Sequence, residues 1–560
     1  MTYNPNNPLV VQGDRTILVE VNHPMYEDVR DEISAFAELE KSPEFVHTYR
    51  ISPLSLWNAA SQGMKANSII DVLKRYNKYD LPQNVQRDIE DYVGRYGKVQ
   101  LLNENGQLVL VSEDPYIIKE IAHSKDIKIY LKGQVNASKL LVDPSMRGHL
   151  KYALTRIGFP VEDVAGYMEG TSFDIYLKDN TNEGKKLQLR DYQKQAVSSF
   201  YDGGSKKGGS GVIVLPCGAG KTIVGMAAME KIKSETLILT TNITALRQWK
   251  EELMDKTSMT SENIGEYSGE NKEIKPVTIA TYQILTHRND KNDNFPHMEL
   301  FNKKNWGLII YDEVHLLPAP VFRVTAELQA KRRLGLTATL VREDGLEEDV
   351  FSLIGPKKYD MPWKVLEKQG WIACANCTEI RVPMPESIKM DYAISESRTK
   401  FRIASENYKK IDIIDKLLEK HSEDNVLIIG QYIDQLNEIA KKIGVPVITG
   451  KTPNHERMAL YDNFKKGKIK RLIVSKVANF AIDLPDANVA IQVSGTFGSR
   501  QEEAQRLGRI LRPKTGENIA FFYSVVTKDS REQDFAVNRQ LFLTEQGYKY
   551  YIKTAEEIEE

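Results

Sequence analysis

Apolar positions near the start of the chain recur at the spacing of an α-helix. Such spacing places one apolar stripe along each helix. The pairs Ser52-Pro53 and Leu81-Pro82 are typical helix starts, because proline fits the first turn of a helix. We therefore predict a helical N-terminal domain over residues 1–97. Its stripe positions are Val29, Ile33, Phe36, Leu39, Ile69, Ile70, Leu73, Val85, Ile89 and Val93.

The next segment carries the pattern of a β-hairpin. Apolar residues between Leu101 and Leu110 flank the dipeptide Asn105-Gly106. Asn-Gly readily adopts the positive φ angles of a tight turn. We predict a small mixed α/β module over residues 98–182, with this hairpin near its start.

From residue 183 onward, short apolar runs alternate with helical stretches, and the alternation occurs twice. This pattern predicts two α/β lobes, each with a parallel sheet between helices. The lobes span residues 183–367 and 368–540, and a C-terminal tail follows over 541–560. The predicted strands are 212–215, 236–239, 277–280, 308–311 and 333–336 in the first lobe, and 426–429, 445–448, 471–474, 489–493 and 519–523 in the second.

Composition narrows the class of protein. The chain has 560 residues, too many for one hydrophobic core, so several domains are expected. Hydrophobic residues make up 41% and charged residues 27%, as in soluble globular proteins. No stretch approaches the roughly 20 apolar residues that a membrane span needs. The polar N-terminus does not resemble a secretory signal, so we expect a cytoplasmic protein that does not span a membrane.

Charge and cysteine content identify no partner or metal by themselves. The net charge is −1, so no global basic field indicates nucleic acid. The basic run Lys465–Arg471 is a local candidate, although such runs are more often solvated faces. Cys374 and Cys377 provide only half of a tetrahedral zinc site. We interpret them as two small residues of a strand.

A phosphate-binding loop is indicated after the strand at 212–215. Residues 215–222 read Leu-Pro-Cys-Gly-Ala-Gly-Lys-Thr and lead into a helix, whose N-terminal N–H groups can hold phosphates. Lys221 would reach the β- and γ-phosphates, and Thr222 would bind Mg²⁺. Leu215 stands where the strict pattern has glycine, so a structural glycine-rich turn is the alternative. The candidate nucleotide-binding residues are Pro216, Cys217, Gly218, Ala219, Gly220, Lys221 and Thr222.

An acidic pair follows the strand at 308–311. Asp312 can hold Mg²⁺ there, and Glu313 can orient or deprotonate the attacking water. Helix capping is the alternative for such a pair. Together with Lys221, the pair predicts hydrolysis of a nucleoside triphosphate.

A third cluster lies in the second lobe. Arg509 and Arg512 are three residues apart on a predicted helix and so share a face, with Gln505 nearby. Arginines in this arrangement can stabilise transition-state charge on a γ-phosphate bound by the other lobe. Two solvent-facing arginines are the alternative. The cluster predicts hydrolysis machinery divided between two lobes, as in a motor.

These motifs together resemble those of superfamily 2 helicases, and within them the XPB family of DNA repair helicases. The resemblance covers residues 185–530 closely and the N-terminal part more loosely. It depends on Leu-Arg-Asp-Tyr-Gln at 189–193, Asp-Glu-Val-His at 312–315, Leu-Gly-Leu-Thr-Ala-Thr at 334–339, Val-Arg-Glu-Asp-Gly at 341–345, Ser-Lys-Val at 475–477, Ile-Asp-Leu-Pro at 482–485 and Ser499 to Arg509.

The resemblance implies two RecA-like lobes of a P-loop NTPase that clamp ATP with Mg²⁺ and move 3′ to 5′ along DNA. It implies that Arg190 and Gln193 read adenine and that Asp483 contacts the nucleotide. It also implies a thumb-like helical insertion near 388–410 and an N-terminal module that probes damaged DNA. The implied DNA-binding and coupling residues are His315, Thr337, Thr339, Arg342, Glu343, Asp344, Gln431, Ser475 and Lys476.

One departure separates this chain from eukaryotic members. It has Ala478-Asn479 where they carry Gly-Asp, so an acidic side chain is missing there, although Lys476 and Asp483 are retained.

Three functions fit the sequence. The leading hypothesis is an ATP-dependent 3′-to-5′ DNA helicase that acts in repair on forked DNA or on single-strand/double-strand junctions, with a possible nuclease or repair partner. A double-stranded DNA translocase would use the same motor. An ATP-regulated scaffold that clamps DNA for a nuclease is a third possibility, but it has no need for all of Lys221, Glu313 and Arg512.

Overall fold

The computed structural model describes residues 3–43, 45–288, 295–329, 331–340, 345–475, 487–495, 507–508, 510–511 and 518–559. The chain forms two compact units. The first unit contains residues 1–38, 45–215 and 220–361, and the second contains 39–44, 216–219 and 362–560. No helix in the described ranges is long and apolar enough to cross a membrane.

The N-terminal part contains strands as well as helices. The prediction of a helical domain over residues 1–97 is therefore only partly confirmed: the described residues there form four helices, but four strands accompany them. The strands β1 and β2 pair antiparallel, as do β2 and β4. The elements are β1 (Leu9–Val11), β2 (Thr16–Glu20), α1 (Tyr26–Ile33), β3 (Glu38–Lys41), β4 (Val46–Arg50), α2 (Pro53–Ser61), α3 (Ala66–Tyr76) and α4 (Gln83–Arg95).

The first predicted stripe extends beyond the helix that it predicts. Helix α1 ends at Ile33, and Leu39 lies in the short strand β3. Strands of three to five residues contain too few alternations to stand out from helical spacing. The helix start at Ser52-Pro53 is confirmed: the Ser52 hydroxyl accepts the N–H of Ser55 at 3.0 Å and caps α2.

The following module is mixed α/β, as predicted. Its five strands lie in the order β7-β8-β6-β5-β9. The predicted hairpin is confirmed, with Glu104 paired to Gln107 and positive φ at Asn105 (+52°) and Gly106 (+82°). The elements are β5 (Val99–Glu104), β6 (Gln107–Val111), α5 (Pro115–His123), α6 (Lys125–Lys128), β7 (Leu131–Asn136), β8 (Lys139–Val142), α7 (Arg147–Arg156) and β9 (Val161–Asp163).

Buried charges join this module to the following lobe. Lys151 on α7 donates to Oε1 of Gln329 at 2.8 Å and lies 3.2 Å from Asp163. Arg147 pairs with Asp163 at 2.6 Å, and all three ionic side chains are less than 10% exposed. Gly148 packs so closely that a Cβ there would lie 2.3 Å from the carbonyl oxygen of Ala326.

The first lobe is a seven-stranded parallel sheet in the order β12-β13-β11-β14-β15-β10-β16. All five predicted strands are present. Helices cover both faces of such a sheet, so its central strands are buried along their whole length. The elements are α8 (Asp191–Tyr201), β10 (Ser210–Val214), α9 (Lys221–Ile232), β11 (Thr236–Thr240), α10 (Ile243–Lys256), β12 (Ile264–Tyr267), β13 (Val277–Thr281), α11 (Tyr282–Leu285), α12 (Leu300–Lys303), β14 (Leu308–Asp312), α13 (Ala319–Glu327), β15 (Arg332–Thr337), α14 (Glu347–Asp349) and β16 (Lys357–Asp360).

The second lobe repeats this architecture, in the order β19-β20-β18-β21-β22-β17-β23. All five predicted strands are present here too. The elements are α15 (Trp363–Lys368), β17 (Cys374–Val382), α16 (Glu386–Ile394), α17 (Ser397–Ser405), α18 (Lys410–Lys420), β18 (Val426–Gly430), α19 (Ile433–Ile443), β19 (Val447–Ile448), α20 (Asn454–Lys465), β20 (Arg471–Ser475), β21 (Val489–Gln492), β22 (Ile519–Thr527), α21 (Arg531–Glu545), β23 (Tyr550–Thr554) and α22 (Glu556–Glu559).

The predicted tail over 541–560 is wrong, because these residues complete the second lobe. Strand β23 pairs in parallel with β17, with Cys377 opposite Tyr550. As an edge strand, β23 is only partly covered and therefore lacks the apolar run that identified the central strands. The insertion predicted near 388–410 falls on the helices α16 and α17.

Candidate nucleotide site

The phosphate loop connects β10 to α9, in the predicted order of strand, loop and helix. Gly218 and Gly220 have φ angles of +79° and +83°, which favour glycine. A Cβ at Gly220 would lie 2.6 Å from Nε2 of Gln193. The positive φ therefore favours glycine at position 220, and a side chain there would also displace the amide of Gln193.

Of the two residues that the resemblance assigns to adenine, Gln193 lies beside this loop and Arg190 contacts Gln193. Gln193 is buried in the first turn of α8, and its Oε1 accepts the N–H of Arg190 at 2.9 Å. The Arg190 guanidinium donates to the Tyr192 hydroxyl at 3.0 Å. Gln193 is thus held next to Gly220, and Arg190 is hydrogen-bonded to Gln193.

Lys221, the first residue of α9, pairs with the acidic residue Glu313. Its Nζ lies 3.3 Å from Oε1 of Glu313, and the two side chains are 12% and 19% exposed. Glu313 has a φ of +49°, which turns the chain sharply after β14. The neighbouring Thr222 is the second residue of α9, so its hydroxyl belongs to the same helix start.

Asp312 ends β14 and is fixed by three hydrogen bonds. Its Oδ2 accepts the indole N–H of Trp249 at 2.9 Å, and its Oδ1 accepts the N–H of Glu313 at 3.1 Å. The Tyr282 hydroxyl donates to its backbone carbonyl at 2.9 Å. Burial raises the pKa of Asp312 to about 6, and repulsion from Glu313 adds to the effect.

Glu313 has the opposite electrostatic balance. Burial alone would raise its pKa, but Lys221 and His315 outweigh burial and lower the pKa below its usual value. Its Oε2 is buried and accepts no hydrogen bond from the described residues. An ionised carboxylate with one unsatisfied oxygen is suited to hold a water molecule.

A hydrogen-bonded chain joins His315, two residues after Glu313, to the next strand. The Thr337 hydroxyl donates to the carbonyl of Thr339 at 2.5 Å and accepts the Thr339 N–H at 3.1 Å. His315 Nδ1 lies 2.7 Å from the same hydroxyl. Because that hydroxyl has a single proton, Nδ1 of His315 is the donor in this arrangement. His315, Thr337 and Thr339 therefore form one unit at the ends of β14 and β15.

In the second lobe, Gln431 and Ser475 lie at the carboxyl edge of the sheet. Gln431 follows β18, and its N–H donates to the Ser494 hydroxyl at 2.8 Å. Ser475 ends β20, opposite Gly430. Oε1 of Gln431 and Oγ of Ser475 are both buried and make no hydrogen bond to the described part of the chain.

The remaining predicted site residues lie outside the described residues. They are Arg342, Glu343, Asp344, Lys476, Asp483, Gln505, Arg509 and Arg512. The variant positions Ala478 and Asn479 also lie outside them.

Trp249 and Tyr282 were not identified from the sequence, although both hold Asp312. A tryptophan at an apolar position of a helix has the pattern of a core residue, and Trp306 in the same lobe is one. Only the pairing of the indole N–H with a carboxylate distinguishes Trp249, and the sequence carries no sign of that pairing.

Comparison with known proteins agrees with this geometry. The family described as ERCC3/RAD25/XPB C-terminal helicase matches residues 366–560. Residues 186–342 match the res subunit of type III restriction enzymes, and residues 9–135 match a helicase conserved C-terminal domain.

Similar proteins span nearly the whole chain. The DNA 3'-5' helicase XPB of Mycobacterium tuberculosis is 54% identical over 99% of both chains. The protein of the same name in Kineococcus radiotolerans is 52% identical over 99% of this chain and 98% of its own. The general transcription and DNA repair factor IIH helicase/translocase subunit XPB of Enterocytozoon bieneusi is 33% identical over 97% of this chain and 92% of its own. Given identity of this extent, the chain belongs to the XPB family of helicases.

Proposed function

We propose that this protein is an ATP-dependent 3′-to-5′ DNA helicase that separates strands during DNA repair. The observation that carries the proposal is the cluster of Lys221, Glu313 and Asp312 at one edge of the first sheet. The full-length similarity to proteins named DNA 3'-5' helicase XPB supports the polarity and the substrate.

The residues at this edge have complementary roles in ATP hydrolysis. Lys221, which pairs with Glu313 here, would turn to the β- and γ-phosphates. Glu313, kept ionised by Lys221 and His315, would orient the attacking water and accept its proton. Oxygen ligands suit Mg²⁺, so Asp312 and Thr222 fit a site for it. Mg²⁺ bound there would neutralise charge on the phosphates.

Coupling to DNA would use the contacts that lead from Glu313 through His315 to Thr337. His315 contacts Glu313 at 3.5 Å and Thr337 at 2.7 Å, so a change at the γ-phosphate can reach the segment after β15. Arg342, Glu343 and Asp344 follow that segment, and we propose that they act at the fork. Gln431, Ser475 and Lys476 would contact DNA from the second lobe, while Asp483, Gln505, Arg509 and Arg512 would act on the nucleotide.

We also propose a cytoplasmic location and a nuclease or other repair protein as partner. The three cysteines, Cys217, Cys374 and Cys377, are thiols rather than disulfides, which fits a reducing compartment. The partner is supported by the Enterocytozoon bieneusi relative, which is named as a subunit of a repair factor.

Strand displacement on forked DNA tests the proposal. The substrates are forks with either a 3′ or a 5′ tail, each with ATP and Mg²⁺, beside the Lys221→Ala variant. We expect displacement only from the 3′ tail and none with the variant. Displacement that requires a 5′ tail, or that survives Lys221→Ala, would contradict the proposal.

A double-stranded DNA translocase is the second candidate, because the relative from Enterocytozoon bieneusi is named helicase/translocase. Its signature is ATPase activity stimulated by DNA without displacement of the fork. Displacement of a third strand from a DNA triplex would then measure movement along the duplex.

A further inference from the structure

Trp249 contacts both Asp312 and the helix α9 that follows the phosphate loop. It lies on α10, is 2% exposed, and donates its indole N–H to Oδ2 of Asp312 at 2.9 Å. Helix α10 follows β11, the strand that pairs directly with β14. The tryptophan therefore reaches the acidic residue from a neighbouring strand-helix unit of the same sheet.

The other edge of the indole packs on the phosphate-loop helix. A Cβ added at Gly225 would lie 2.6 Å from Cη2 of Trp249. Gly225 is one helical turn after Lys221 on α9. A side chain at position 225 would displace the ring, so this glycine permits the close approach of Trp249 to α9.

Asp312 is held on its backbone as well as on its side chain. The Tyr282 hydroxyl donates to its carbonyl at 2.9 Å. With the backbone fixed, the side chain can still rotate about χ1 and χ2, and the hydrogen bonds from Trp249 to Oδ2 and from the Glu313 N–H to Oδ1 restrict that rotation. Each carboxylate oxygen can still accept a second interaction.

We propose that Trp249 is a positioning residue for Mg²⁺-bound ATP: its N–H orients the Asp312 carboxylate, and its ring sets the distance of that carboxylate from α9. The inference rests on the proposed function. Partners that orient metal-binding carboxylates tune metal affinity without touching the metal. The opposing explanation is that Trp249 only fills space.

Replacement of Trp249 by phenylalanine separates the two explanations, since the ring is kept and the N–H is lost. Trp306 supplies a matched control in the same lobe. It is also buried and donates its indole N–H, at 3.0 Å, to the Leu300 carbonyl rather than to a carboxylate. Trp306→Phe therefore removes an equivalent hydrogen bond away from the site.

The measurement is the affinity of the full chain for a fluorescent ATP analogue, by equilibrium titration with Mg²⁺ and with EDTA. The ratio of the two dissociation constants reports how strongly Mg²⁺ supports binding. We expect Trp249→Phe to reduce that ratio by about tenfold, as for the loss of one hydrogen bond to a charged group. Trp306→Phe should leave the ratio unchanged.

A double-mutant cycle with Asp312→Asn tests whether Trp249 acts through Asp312. In the background of the Asp312→Asn substitution, Trp249→Phe should cause no further change in the ratio, since the two residues form one interacting pair. A second full reduction there would overturn the inference. Thermal melting of each variant without nucleotide shows whether the lobe is folded, and Gly225→Ala, which displaces the ring, provides a second route to the same reduction.

The outcomes separate the inference from the proposed function. An unchanged ratio in Trp249→Phe, or equal losses in Trp249→Phe and Trp306→Phe, would overturn the inference alone. Failure of the unaltered protein to bind the analogue under either condition would overturn the proposed function.

Discussion

At the carboxyl edge of the first sheet, the ionisable side chains are partnered with one another. At the same edge of the second sheet, two buried oxygens, Oε1 of Gln431 and Oγ of Ser475, accept no hydrogen bond within the described ranges. Among the described residues, a buried ion pair lies near this edge: Lys410 donates to the carbonyl of Val493 at 2.8 Å and to Glu532 at 2.7 Å. In the described parts of the chain, two sheets with one architecture therefore use this edge differently. The first holds reactive charges, and the second fixes its strand ends with a buried ion pair.

The largest expected effect comes from removing the positive charge of Lys221 at the carboxyl edge of the first sheet. Lys221→Ala should reduce ATP turnover on the order of a thousandfold, because the transferring phosphate loses its positive partner. Phosphate release measures the effect. Lys231→Ala, at an exposed position of the same helix, is the control. If Lys221→Ala hydrolysed ATP nearly as fast as the unaltered protein, the carboxyl edge of the first sheet would not be the reactive one.

The ion pair of the second edge should matter for stability. Lys410 and Glu532 are 0% and 1% exposed, and Glu532 also accepts the N–H of Thr527 at 2.9 Å. Lys410→Met leaves Glu532 buried without its cation and should lower the free energy of unfolding by about 3–5 kcal/mol. Urea denaturation measures the change.

Lys420→Met, at an exposed position of the same helix, is the control for that measurement. Adding Glu532→Gln to Lys410→Met should recover part of the loss, because the unpaired charge is gone. No recovery would mean that packing, rather than charge, stabilises this edge.

Removing the hydrogen bond between His315 and Thr337 tests whether a change at the nucleotide site alters the response of the ATPase to DNA. Thr337→Val removes the hydroxyl that contacts both His315 and Thr339. We expect the stimulation of ATPase by DNA to fall by about tenfold, the effect of one or two buried hydrogen bonds. The control is Thr278→Val, a buried threonine of the same sheet whose hydroxyl donates to the Lys275 carbonyl. Equal losses in both variants would argue against a specific path.

The smallest effect concerns pH. Burial raises the pKa of Asp312 to about 6, so between about pH 4 and 6 the folded chain holds a proton that the unfolded chain has lost. Its contribution to stability therefore decreases as the pH rises through this window. Asp312→Asn should be more stable than the unaltered protein at pH 7, by on the order of 1 kcal/mol, and the difference should vanish near pH 4.

Thermal melting without nucleotide, at a series of pH values, measures that difference. Asp191→Asn, whose carboxylate is 92% exposed, controls for the loss of one negative charge. A stability gain that does not depend on pH would mean that Asp312 is not the group responsible.

Burial explains which elements could be predicted from the sequence. Strand β14 is an apolar run because both of its faces are covered, and a strand of that kind is visible without an alignment. The acidic pair after it was identified by position. Strand β23 was missed because an edge strand is half exposed, and Leu39 was assigned to a helix because its short strand shows too few alternations.

Within the site, the sequence predicts the residues that follow strands, but it does not predict contacts between side chains that are distant in the chain. Lys221 and Glu313 could be paired in advance, because both follow strands of one parallel sheet and their residue types fit one chemistry. The hydrogen bond between Trp249 and Asp312 joins residues 63 apart in the sequence, and its donor also has the character of a core residue. Only the packing of α9 and α10 brings the indole to the carboxylate.

The buried cluster of Lys151, Arg147 and Asp163 makes the folding of the first lobe depend on the module before it. A chain shortened to begin at residue 183 would lose the amine that donates to Gln329 and the helix that packs on Ala326. The shortened chain would then expose to water the side-chain amide of Gln329 and the surface of α13 around Ala326. The boundary at residues 182 and 183 therefore separates two stretches of sequence but not two cooperative folding units, and the first lobe and the module before it should unfold together.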